Sequence, residues 1–114
     1  MSTDRSRGTR ASEDLARSLR RLDGRIRRWS AARWTGRSAD GRARVDAAHE
    51  LAVTLAALGR RAGNLAPDIP PPAVAPHALA DQFTVLGREL QEAPDVGVYA
   101  EAGAAAVERF LNGL

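Results

Sequence analysis

The sequence predicts an all-α protein with two long helices in a hairpin and two shorter helices after it, arranged like a four-helix bundle. Apolar residues recur every three or four positions through most of the chain, and we find no convincing strand pattern. The length of 114 residues suits a single domain with one core. We therefore expect a flexible N-terminal arm over residues 1–11 and a single helical domain over residues 12–114.

The first helix is expected to begin at Ser12, because serine caps the free backbone amides at a helix start and two carboxylates follow it. It is expected to end near Trp34, and Gly24 within it weakens it by about 1 kcal/mol relative to alanine. Arginines fill its flanks and its opposite face, so it is a basic amphipathic helix. Its apolar stripe consists of Leu15, Leu19, Leu22, Ile26 and Trp29.

The second helix is expected to follow a turn around Gly36, with Ser38 as its cap and Gly63 as its stop signal. Together the first two helices make the predicted hairpin, residues 12–64. The next segment, residues 65–76, contains five prolines, which predict an extended, stiff connector.

Two shorter helices are predicted over residues 77–114. Pro76 suits the first turn of one, and Pro94 ends it. Asp95 is expected to cap the other, in which small residues allow a neighbouring helix to approach closely.

The charge of the chain is unevenly distributed. Residues 1–61 hold 15 arginines and 7 acids, whereas residues 62–114 hold 2 arginines and 7 acids. All 17 basic residues are arginine, in a composition typical of a high-GC bacterial genome, so the choice of arginine is weak evidence for phosphate recognition. A chain with this asymmetry is able to pair with a second copy or offer a basic face to an acidic partner.

Several functional classes are disfavoured by the sequence. There is no cysteine, no apolar run of the roughly 20 residues that span a bilayer and no signal-peptide pattern, so we expect a cytoplasmic protein without membrane insertion. No phosphate loop or nucleophile motif is present, and we expect no catalytic site and no cofactor. Two Asp and His pairs, Asp46 with His49 and His77 with Asp81, are interpreted as helix-surface pairs rather than metal ligands.

The turn Trp34-Thr35-Gly36 and the helical pattern after it resemble the WXG family of type VII secretion proteins. These proteins are small helical hairpins with a Trp-any-Gly turn, and the resemblance covers residues 12–64. It implies a helical interaction partner and export without a signal peptide. The chain lacks the C-terminal secretion signal, in which an acid follows Tyr by four residues, because Gly103 stands four residues after Tyr99.

These patterns predict a non-catalytic interaction module that binds another protein or a second copy of itself. Gly36 is expected to take a positive φ angle at the turn, and Trp34 to pack at the base of the hairpin or against the partner. Large apolar side chains next to arginine are typical of binding hot spots. The predicted interaction residues are Leu15, Leu19, Leu22, Ile26, Trp29, Trp34 and Gly36.

The alternative hypothesis is a nucleic-acid-binding or nucleoid-associated protein. A basic helix is able to neutralise phosphates along its length, although no helix-turn-helix and no base-reading residues are evident. The residues predicted for this role are Arg17, Arg20, Arg21, Arg27 and Arg28.

Overall fold

The computed structural model describes residues 3–114, with side chains from Arg7 onward. These residues form an all-helical protein without strands. A 3-10 turn, Pro76–Ala78, precedes the fourth of the α-helices. The α-helices are α1 Thr3–Ile26, α2 Ala31–Thr35, α3 Arg44–Ala62, α4 Leu79–Glu92 and α5 Val96–Gly113.

The four longer helices share one core, and α1 and α3 lie on opposite sides of α4 and α5. The first helix packs most extensively against α5 and then against α4, whereas α3 packs equally against α4 and α5. Gly8 meets Gly97, and Arg21 forms an ion pair with Glu108, so α1 and α5 run parallel. The predicted hairpin of two long neighbouring helices is therefore not confirmed.

The core lies where the apolar stripes of the four longer helices meet. Gly103 is at its centre, because a Cβ atom there would lie 2.9 Å from Leu90 Cδ2 and 3.1 Å from Leu15 Cδ1. Glycine thus allows α5 to approach two neighbours at once. The largest fully buried side chains are Trp34, Leu15, Leu22, Ile26, Leu55, Leu90 and Val107.

The first helix begins at Thr3 rather than at Ser12, so it includes residues 3–11 of the expected arm. Its start includes Gly8, where a Cβ atom would lie 3.5 Å from Gly97 Cα. The backbones of α1 and α5 thus approach closely at two glycines, a long-range contact that local composition does not indicate. Residues 1 and 2 of the predicted arm lie outside the described residues.

The first helix also ends earlier than expected, at Ile26 instead of near Trp34. Ser30 starts the short helix α2, because its side-chain oxygen accepts a hydrogen bond of 3.2 Å from the backbone N–H of Arg33. A second N-cap signal thus lies inside the segment that we interpreted as one helix.

Ser38 does not cap the next helix, which begins at Arg44. The residues between them form a tight loop in which the Ser38 N–H donates to the Arg42 carbonyl at 2.7 Å. Gly41 has φ +85°, and Asp40 Oδ1 accepts a hydrogen bond from the Arg42 N–H at 3.0 Å. Asp-Gly is a turn signal, and here it outweighs the capping signal of the serine.

The segment between α3 and the 3-10 turn carries no helix and runs along the bundle surface. The Arg60 side chain donates to the Ala66 carbonyl, and Gln82 Nε2 donates to the Pro72 carbonyl at 2.8 Å. Leu65 and Ile69 are both exposed in this segment. No helix within the described residues is long and apolar enough to cross a membrane.

Candidate functional sites

Four of the predicted interaction residues belong to the protein's own core. Leu15, Leu22 and Ile26 are at most 1% exposed, and Trp34 is 2% exposed. These side chains cannot contact a partner in the folded conformation. Leu19 and Trp29 are half-buried and pack at the edge of the core.

The two tryptophans form a cluster with two arginines near the start of α3. The Trp29 and Trp34 rings meet edge to face, with centroids 4.7 Å apart. The guanidinium carbons of Arg33 and Arg44 lie 5.0 and 5.6 Å from the Trp29 ring centroid. Cation–π attraction therefore holds both arginines against Trp29.

Gly36 does not adopt the positive φ angle that we expected, since its φ is −68°. Its role is steric, because a Cβ atom there would lie 2.6 Å from an Nη atom of Arg44. That Arg44 Nη1 donates a hydrogen bond of 2.8 Å to the Arg33 carbonyl. The glycine therefore makes room for a guanidinium that links the end of α2 to α3.

A surface groove lies between α1 and α4, and we call it the α1–α4 groove. It has a volume of about 570 Å³. A Cβ atom at Gly87 would lie 2.9 Å from Leu19 Cδ1, so the glycine allows these helices to meet at this point. Of the apolar residues that line the groove, Ala16 and Leu19 are half-buried, whereas the others are buried in the core beneath them: Leu22, Ile26, Ala80 and Phe83.

One end of the groove is closed by ionic contacts, and the other is open and basic. Arg27 pairs with Asp23 at 2.6 Å and also with Asp81, and these hydrogen-bonded carboxylates raise its pKa. Arg20 and Arg88 line the other end and are exposed. Neither of these two arginines has an ion-pair partner among the side chains that the structure describes.

The structure divides the predicted nucleic-acid-binding arginines into two groups. Arg17 pairs with Asp14 at 2.9 Å, Arg21 pairs with Glu108, and Arg27 is bound by two aspartates. Within the described part of the chain, Arg20 and Arg28 are exposed and have no such partner. The outward face of α1 is therefore less basic than its sequence suggests.

Glu108 connects α5 to α1 and has an altered pKa. A hydrogen bond from Ser18 lowers the pKa of this carboxyl below its usual value, and a hydrogen bond and the charge of Arg21 lower it further. Ser18 is buried at 6% exposure. This contact helps to hold the parallel pair of α1 and α5 together.

The Asp and His pairs do not come together as a ligand set. Asp46 and His49 line a surface cavity beside α4, whereas Asp81 pairs with Arg27. No group of three or more His, Asp or Glu side chains in the described region is arranged to hold a metal ion.

The α1–α4 groove was not foreseen from the sequence. Phe83 belongs to a recognised apolar stripe, but the sequence does not show that Gly87 would face Leu19 across two helices.

No family model, curated protein or solved structure matches the chain.

Proposed function

We propose that the protein is a non-catalytic protein–protein interaction module that binds an amphipathic helix of another protein in the α1–α4 groove. The observation that carries this proposal is the groove between α1 and α4, in which Ala16 and Leu19 are half-buried. Most of the α1 stripe is buried, but these two side chains remain accessible from the groove. A groove between helices with accessible apolar side chains is a common binding site for the apolar face of a partner helix.

The rim of the groove determines the charge of the partner. Arg20 and Arg88 are exposed at the rim, and their charges are not compensated by the described residues. The acidic Asp23 on the same rim is already paired with Arg27. We therefore propose a partner helix with apolar residues on one face and carboxylates beside them, because such charges speed association and set orientation.

The size of the groove indicates a transient complex. About 570 Å³ accommodates a few side chains, and not a whole helix. Small interfaces of this kind are typical of weak or short-lived complexes. The type VII secretion role implied by the resemblance at Trp34-Thr35-Gly36 remains a prediction.

The proposal is tested by site-specific photo-crosslinking in cells. A photoreactive residue at Ala16, which lines the groove, is expected to give a discrete adduct. The matched control carries the photoreactive residue at position 98 instead of Val98, which is 74% exposed on α5 and lies outside the groove. Leu19→Glu should abolish the Ala16 adduct, whereas Val85→Glu adds the same charge on the exposed side of α4 and should leave it intact.

The crosslinked segment is then identified and tested as a synthetic peptide. We expect an acidic amphipathic helix that binds the wild-type protein and loses affinity at least tenfold when Arg20 and Arg88 are replaced by Glu. Equal adducts from Ala16 and Val98 would contradict the proposal, as would a segment without an apolar stripe. An adduct between two copies of this chain would show self-association instead.

A further inference from the structure

A second surface lies at one end of the bundle and goes beyond the helix-binding role. Residues 25–44 contain seven arginines and one acid, Asp40. The Ala39 N–H donates to the Gly113 carbonyl at 2.7 Å, so α5 ends beside this segment. Because α1 also ends here and α3 and α4 begin here, we call this surface the basic end.

The basic end keeps most of its charge. Arg27 and Arg42 are paired with carboxylates. The other arginines contact only backbone carbonyls or the Trp29 ring, or have no ion-pair partner within residues 7–114. Four of them are exposed with their charge uncompensated: Arg25, Arg28, Arg33 and Arg37.

Part of this surface is fixed before any ligand arrives. Arg33 lies against Trp29, and the Arg37 side chain donates to the Gly41 carbonyl at 2.7 Å. Trp29 is in turn packed edge to face on the buried Trp34. Arginines that are already positioned lose less side-chain entropy when they bind a ligand.

We infer that the basic end binds the phosphate backbone of duplex DNA without reading its sequence. The planar guanidinium group matches the geometry of a phosphate. Arg33 and Arg44 lie over the Trp29 ring, so this ring is not free to stack on an unpaired base.

The inference is tested by fluorescence anisotropy with the full chain and a labelled duplex of about 20 base pairs at several salt concentrations. Four neutralised phosphates predict a logarithmic slope of about −3.6, so affinity should fall roughly a hundredfold between about 50 and 200 mM salt. Replacing the four exposed arginines of the basic end by Gln should weaken binding at least tenfold at low salt and bring the slope close to zero.

The matched control removes the same charge elsewhere on the molecule. Its substitutions are Arg7→Gln, Arg10→Gln, Arg61→Gln and Arg88→Gln, all at exposed positions. This variant should keep most of the affinity and most of the slope. Circular dichroism melting of both variants checks that they remain folded, and Leu19→Glu in the α1–α4 groove should leave DNA affinity unchanged.

Three results would overturn the inference. The first is absence of binding to the duplex at low salt. The second is an equal loss of DNA affinity in the two arginine variants, which would show that binding depends on net charge alone. The third is displacement of the duplex by poly-glutamate at an equal concentration of charges, which would identify the surface as a site for acidic proteins.

Discussion

The substitution Trp34→Ala tests whether Trp34 is a core residue, whose loss lowers the stability of the fold, or an interface anchor, whose loss only weakens binding. Trp34 is 2% exposed and packs edge to face on Trp29, so the substitution empties a filled site in the core. Large-to-small changes of this kind cost about 3–5 kcal/mol. For a chain of 114 residues, about 4 °C of melting temperature is lost per kcal/mol, so we expect a fall of about 12–20 °C.

The measurement is thermal unfolding of the two single variants, followed by far-ultraviolet circular dichroism. Trp29→Ala is the control, because Trp29 is half-buried and its removal should lower the melting temperature by less than half as much. If Trp34→Ala melts within about 3 °C of the wild-type protein, Trp34 is not a packed core residue. If the Trp34→Ala variant keeps its helicity and its melting temperature and loses only the ability to bind a partner, Trp34 is not in the core.

Other substitutions test local contacts and the response to pH. Gly36→Ala should destabilise the protein by about 1–2 kcal/mol in urea unfolding, because the new methyl group displaces the Arg44 guanidinium from its carbonyl. Gly24→Ala should stabilise the protein by about 0.5–1 kcal/mol, because alanine favours the helix and no atom lies within 4 Å of the new Cβ. A loss of stability in this variant would show that the position has no room for a methyl group. The pKa of Glu108 is lowered by folding, so its ionised form stabilises the protein above the unfolded pKa, and this contribution is lost as the pH falls through the folded pKa. Glu108→Gln should therefore lower the melting temperature at pH 7, and this effect should shrink as the pH falls through the folded pKa; an effect that does not change with pH would exclude this linkage. Treatment with a chelator should leave the melting temperature unchanged, and a loss of stability restored by zinc would reveal a metal site.

The helical elements were predictable because their signals are local. The stripes of Leu79, Phe83, Leu86 and Leu90 in α4, and of Val107 and Phe110 in α5, follow the period of a helix and are buried in the structure. Pro94 also marked the break between these two helices, which end and begin at Glu92 and Val96. Helical period does not indicate which helices become neighbours.

The packing order depends on contacts between residues that are distant in the sequence. Gly8 meets Gly97 where α1 packs against α5, and Gly87 meets Leu19 where α4 packs against α1. The local sequence around Gly8 is polar and predicts a flexible arm. The groove and the extended start of α1 therefore could not be predicted from composition or periodicity.

The parallel pairing of α1 with α5 has a consequence for how the protein is made. During synthesis α1 leaves the ribosome before the other described helices, but the helix against which it packs most extensively is the last of them to appear. Until then the stripe of Leu15, Leu22 and Ile26 lacks much of its cover, and contacts between distant parts of a chain form slowly. The nascent chain is therefore exposed to aggregation until α5 emerges, and a chaperone that recognises apolar helices would protect it during this interval.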